Sequence, residues 1–204
     1  NTGTTVGTHF VGTTDDQPLE FHVDSERALR IEPDAVSPNL IGGFSGNGVQ
    51  AGTVGATIGG GGAATHQHTI DGDYATIAGG YHNSAAGLGA AVGGGSANDA
   101  GANNATVSGG YLNDASEPHA TVGGGLLNTA GGAYATVGGG DGNTASGAGA
   151  TVGGGGYDGS TSRANQALAS ASTVAGGWGN VITTTAEYGT IGGGRNNEVG
   201  QGEA

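Results

Sequence analysis

The chain of 204 residues contains no lysine, no cysteine and no methionine, and it has one tryptophan and three phenylalanines. Seventeen acidic residues stand against four arginines, for a formal net charge of −13. That balance argues against nucleic acid and anionic membrane as partners, because both are bound through clustered cations. An acidic surface without lysine also suits a protein working in high salt, where screening shortens like-charge repulsion. The absence of cysteine fits an extracellular setting that does without disulfides. No run of 18 apolar residues occurs, so no transmembrane helix or other membrane insertion is expected. Neither an initiator methionine nor a signal peptide is visible, and Asn1 is expected to be a processed end or the start of a fragment. Large apolar side chains are scarce, leaving mostly Ala and Val for a core. At about 25 cal/mol per Å2, such a core calls for partner chains or for dense backbone hydrogen bonding.

What the chain does have is glycine, 49 residues of it, arranged with a period. Ala-Thr-Val-Gly-Gly-Gly occurs at 120–125, 135–140 and 150–155, with variants at 75–80, 90–95 and 105–110. The β-branched residue falls at 77, 92, 107, 122, 137 and 152, a step of 15 each time. Low-complexity disorder does not hold such a register. A fixed step of this length means stacked identical units, hence an all-β solenoid of about 15-residue coils. Within a unit, Ala120 and Val122 point one way and Thr121 the other. Six residues after the β-branched position stands asparagine: Asn47, Asn83, Asn98, Asn113, Asn128, Asn143, Asn180 and Asn197. Its amide is expected to bond the coils above and below. One coil then reads strand, glycine-rich corner, strand, turn. The glycine triplets suggest a neighbouring chain packed against that corner. Ten coils from Ile41 to Ile191 would make a rod of about 45–50 Å.

Two regions follow. Residues 1–37 lack the repeat and form an N-terminal docking region; residues 38–204 are the repeat domain. In the first, Leu19, Phe21 and Val23 alternate with Glu20 and His22, and Leu29 and Ile31 with Arg30 and Glu32. With a turn at Asp24-Ser25-Glu26 this predicts a β-hairpin whose apolar face must dock on something. His9-Phe10-Val11-Gly12 reads as a short strand beside it. In the second, wider steps place inserts at 62–73 and 157–170, expected as loops protruding from one side.

Two columns vary from coil to coil. Four residues after the β-branched position come Tyr81, Ser96, Tyr111, Leu126, Asp141, Gly156, Trp178 and Arg195. Three before it come Tyr74, Gly89, Asn104, His119, Tyr134, Gly149, Ala171 and Tyr188. A constant scaffold with variable aromatic positions resembles a display surface, so Tyr74, Tyr81, Tyr111, Leu126, Tyr134, Tyr157, Trp178 and Tyr188 are the candidate receptor or glycan contacts. The same aromatics could instead cap grooves between chains.

Catalytic patterns are sparse. No Gly-x-Ser-x-Gly elbow stands in a strand-to-helix context, and without lysine or a βαβ pattern the Gly-x-Gly strings are not phosphate-binding fingerprints. Calcium β-rolls repeat every nine residues with an Asp in each, unlike this 15-residue step. No catalytic residue and no cofactor is assigned. The one metal-like pair is His66-x-His68, whose imidazoles would share a side in an extended strand and could meet two other copies around an axial ion. A lone glycosylation sequon lies at Asn104-Ala105-Thr106. Asp15-Asp16 and Asp71-x-Asp73 are the dense acidic pairs that a glycan-cleaving spike would need. The single file of threonines lacks the second file of an ice-binding face.

The unit Ala-Thr-Val-Gly-Gly-Gly-x-x-Asn-x-Ala resembles the head repeats of trimeric autotransporter adhesins, the YadA-like left-handed parallel β-roll, over residues 39–200. The Pro18–Pro33 segment resembles one common in phage tail fibres. Both relatives are homotrimers that bind host surfaces. The resemblance therefore implies a non-enzymatic, extracellular homotrimeric fibre, on a virion tail or a cell surface, that attaches to a host glycan or protein receptor. A passive structural rod is the alternative reading, and a glycan-cleaving tailspike ranks behind it.

Overall fold

A computed structural model describes residues 10–200. Among them there is no helix, and the strands join into two long sheets, one of 12 strands and one of 10. The N-terminal hairpin consists of β1 (Leu19–Val23) and β2 (Glu26–Glu32), with Leu19 opposite Ile31. Asp24 and Ser25 at its tip have φ of 51° and 65°, the backbone of a tight two-residue turn whose twist suits antiparallel strands. β2 pairs antiparallel with β3 (Asn39–Gly42), the first strand of the repeat domain. The hairpin thus docks by extending the ladder of the first sheet. Its apolar face is only partly covered, with Phe21 and Val23 exposed. The short strand expected at 9–12 is not formed at Phe10–Gly12; His9 lies outside the described residues.

From β3 onward every pairing in both sheets is parallel and joins successive coils. Thr106 and Val107 align with Thr121 and Val122, which align with Thr136 and Val137. In the second sheet Asp114 and Ala115 align with Thr129 and Ala130. The fold is a parallel β-solenoid of stacked 15-residue coils, as the period predicts. Two-residue strands suffice because each strand bonds to coils on both sides, and repeat stability sums along the stack.

Of the two supports expected for so small a core, partner chains or dense backbone hydrogen bonding, the interior shows the second. Ala120, Val122, Asn128 and Ala130 are each 0% exposed within a single chain, and the same four positions are buried coil after coil. The interior is therefore not borrowed from neighbouring chains. Small side chains fill it because the two sheets of one coil lie close together, and backbone and amide hydrogen bonds supply what bulky side chains do not. The glycine triplet has the same origin. A Cβ on Gly123 would come 2.4 Å from the carbonyl oxygen of Gly138, one coil along in the same chain. Gly125, at φ +92°, would meet Gly140 at 2.3 Å. The close neighbour that excludes a side chain is the next coil, not another protomer.

The asparagine file is a continuous hydrogen-bonded ladder. In Asn128 the Oδ1 accepts from the backbone N–H of Asn143 (3.0 Å), and Nδ2 donates to the carbonyls of Gly124 (2.9 Å) and Gly140 (3.0 Å). Its own N–H donates to Oδ1 of Asn113 (3.0 Å). The ladder also includes Asn165, which the 15-residue count from the valines passes over. Replacing Asn128 by Ala leaves the buried N–H of Asn143 and the carbonyl of Gly124 without partners. Each orphan costs about 1–3 kcal/mol, so Asn128→Ala is expected to lose about 2–4 kcal/mol in urea unfolding, while the outward-facing Thr129→Ala stays within about 0.5 kcal/mol.

Candidate functional site

The ladder fixes the register of the residues beside it. Two positions before each rung lie His66, Tyr81, Ser96, Tyr111, Leu126, Asp141, Arg163, Trp178 and Arg195. These form one file along the edge where the first sheet turns into the second. Parallel bridges run from Tyr81 through Ser96, Tyr111 and Leu126 to Asp141, and from Trp178 to Arg195. The rings of His66 and Tyr81 stack at 4.4 Å, and Trp178 lies under the guanidiniums of Arg195 (4.4 Å) and Arg163 (5.3 Å). One position before most rungs, though not before Asn47, His68 or Asn165, the backbone is left-handed, and there His82, Ala97, Leu112, Leu127 and Asn196 stand at φ near +55°. Tyr81, Tyr111, Leu112, Leu126 and Leu127 together expose an apolar strip on this edge. A groove continues it between Leu126, Asp141 and Tyr157, floored by Gly140 and Gly155.

The second variable file occupies the other edge, where the second sheet returns to the first. Its members, from Tyr74 to Tyr188, all have φ between +52° and +66°. His119 and Tyr134 stack there at 4.7 Å with an interplanar angle of 8°. The eight candidate contacts therefore divide. Tyr81, Tyr111, Leu126 and Trp178 share the first edge, and Tyr157 stands beside them; Tyr74, Tyr134 and Tyr188 lie on the other. Among the sequence candidates Arg163 was missed, because the insert breaks the count from Val152. Counting back from Asn165-Gln166-Ala167 places it in the file.

Both inserts leave the solenoid at that first edge. Ala63 bridges His66, and Tyr157 bridges Ser162, each closing a small excursion. The excursions are shorter than the spacing suggests, since His68 and Asn165 already stand in the ladder.

The structure separates the two histidines of the metal-like pair. His68 is fully buried and takes the place of an asparagine rung. Its Nδ1 accepts from the N–H of Asn83 (3.1 Å) and its Nε2 donates to the carbonyl of Gly80 (3.1 Å), so both nitrogens are engaged. His66 points outward to Tyr81, with Nδ1 at 2.6 Å from the Thr65 hydroxyl. The two imidazoles face different sides because the bridge at Ala63 and His66 interrupts the extended backbone. Among the described residues no group of three or more His, Asp or Glu side chains is placed to hold a metal.

The acidic residues are also rearranged. Asp73 Oδ1 accepts from the N–H of Val54 (2.9 Å), which ties two coils together. Across coils, Asp99 stands beside Asp114 on adjacent strands. Burial, and then the charge of Asp99, hold the Asp114 carboxyl above its ordinary value, and its Oδ1 has no hydrogen-bond partner. Asp158, fully exposed in the longer excursion, is held below its ordinary value by the N–H groups of Thr161 and Ser160. No protein-family model matches the chain, and no curated protein matches it.

Burial holds the His68 imidazole below its ordinary value of 6.5, and the neighbouring His82 adds to the effect, against the hydrogen bonds to Gly80 and Asn83. The unfolded chain then binds the proton more readily than the folded one. The stability linked to His68 is complete above pH 6.5 and is lost as pH falls below it. Protonation also turns Nδ1 into a donor facing the N–H of Asn83. His68→Asn, which restores an amide rung, is expected to flatten the loss of melting temperature between about pH 7 and pH 5; an unchanged slope would assign that loss to other groups.

Proposed function

We propose that this chain is the display segment of a non-enzymatic, extracellular homotrimeric fibre, on a virion tail or a cell surface. It attaches to a glycan or protein receptor through the exposed residues of its two edges, those of the first edge foremost. One observation carries the reading. The inward positions repeat almost without change, whereas the outward edge positions change at nearly every coil. Left-handed backbone costs a side chain about 1 kcal/mol or more per residue. Glycine fills such positions at Gly89, Gly142, Gly149 and Gly179. At the same positions in other coils stand Tyr74, Leu112, Leu127, Tyr134 and Tyr188, all exposed. Folding alone would be better served by glycine there, so these side chains are kept for something outside the chain. Tyrosines and leucines in file at a spacing of about 4.8 Å offer stacking faces to successive rings of an extended ligand.

The reading is tested on a glycan array and on immobilised host-surface extracts. Wild-type chain is expected to bind a defined subset, and Tyr111→Ala with Leu126→Ala is expected to weaken that binding at least tenfold without moving the melting temperature. A wild-type chain that binds nothing supports the passive-rod reading instead. The trimer rests on the resemblance to adhesin heads and tail fibres, since the interior is complete within one chain. Light scattering is expected to give three times the 19.2 kDa chain mass. A monomer would remove the trimer and leave the edge column in place.

A further inference from the structure

The four arginines are used in two different ways. Arg27 donates to the backbone carbonyls of Ser45 (2.6 Å) and Asn47 (3.1 Å), and Arg30 pairs with Glu20 and Glu32. The Arg27 guanidinium holds the hairpin to the first coil, and that of Arg30 ties the two hairpin strands together. Arg163 and Arg195 meet instead on the single tryptophan, in three successive rungs of the edge file. Trp178 is fixed by donation from Nε1 to the carbonyl of Thr161 (3.0 Å). Arg163 Nη1 donates to Asn196 Oδ1 (2.7 Å), and its remaining N–H groups are uncommitted. Both arginines are exposed. Among the described residues no carboxylate lies within 4.0 Å of either. Asp158, the acidic group that acts on Arg195, already accepts from the N–H groups of Ser160 and Thr161 and from the Ser160 hydroxyl. In a chain of net charge −13, two guanidiniums on one ring without a carboxylate partner are an exception to the charge pattern around them.

We infer that Arg163 and Arg195, braced by Trp178, bind the carboxylate or sulfate groups of an acidic polysaccharide. The inference rests on the attachment reading and names the ligand class of the same edge. A guanidinium lying against an aromatic face keeps its charge and turns its N–H edge outward, the geometry for paired hydrogen bonds to a planar carboxylate or a sulfate. The two guanidiniums are two rungs apart, about 10 Å at the spacing of parallel strands, so a polymer carrying acid groups along its length can engage both. The groove of Leu126, Asp141 and Tyr157 lies next along the edge; the Asp141 carboxylate there repels acid groups, which confines them to the arginines.

Trp178 is the chain's sole tryptophan, so its emission reports on this site alone. The full chain is titrated with polygalacturonate, dextran sulfate and neutral dextran. Emission is expected to change with one or both polyanions and not with dextran; a response to polygalacturonate alone assigns carboxylate, and to dextran sulfate alone assigns sulfate. Arg163→Gln with Arg195→Gln is expected to weaken that binding at least tenfold with the melting temperature unchanged. The doubly lysine-substituted chain, which keeps the charge without the planar fork, is expected to bind more weakly than wild type. Equal response to dextran and the polyanions, or polyanion binding that survives the glutamine pair, overturns the inference. A chain that binds neutral glycans through Tyr111 and Leu126 but neither polyanion loses this inference and keeps the attachment reading. A chain that binds no glycan in either experiment loses this inference and the glycan form of that reading together.

Discussion

Coil after coil carries an asparagine, once a histidine, into its interior, and the cost of leaving that group unpaired governs the rest of the structure. The asparagine amide bonds forward to the next coil's backbone N–H, backward to its own glycine corner, and across to the following glycine. None of these bonds can form unless successive coils are stacked at one spacing and in one register. A slip by one residue would turn every asparagine outward and leave its partners buried and unsatisfied. Specificity of register, which a core of alanine and valine supplies poorly, comes from the amide ladder instead. His68 shows what the position requires. An imidazole is tolerated because its two nitrogens reproduce an acceptor and a donor of the amide.

The ladder also explains why the outside of the rod is free to vary. With the backbone held from within, an outward residue makes little contribution to folding, and its identity is open to other demands. That freedom appears on the edges, where left-handed turns that glycine would fill without strain carry tyrosine, leucine and histidine. The flat outer faces of the sheets, by contrast, carry mostly threonine, serine and other short side chains. The inserts add to the first edge, since both emerge beside the same file.

Charge follows the same division. Acidic groups are spread along the surface, and their repulsion is tolerated where solvent screens it. Where two meet in register on adjacent strands, at Asp99 and Asp114, one carboxyl is held above its ordinary value by burial and by its neighbour. The few cations are concentrated at two places, the hairpin junction and the Trp178 site.

The coil length, the parallel stacking, the inward alanine and valine files and most of the asparagine ladder were legible in the sequence, because each depends on a constant spacing along the chain. So was the hairpin, from its alternation and turn. Three matters were decided only by the tertiary structure. Whether one chain closes its own interior depends on how near the two sheets lie, a distance that no spacing encodes. The roles of His68, Asn165 and Arg163 were hidden because the inserts interrupt the count from one side while the ladder restores it from the other. The juxtaposition of Arg163 with Trp178 and Arg195 belongs to the same class: residues 15 and 32 positions apart become neighbours only when backbone hydrogen bonds stack their coils. Periodicity specifies what repeats; contacts made across an interruption exist only once the coils have closed over it.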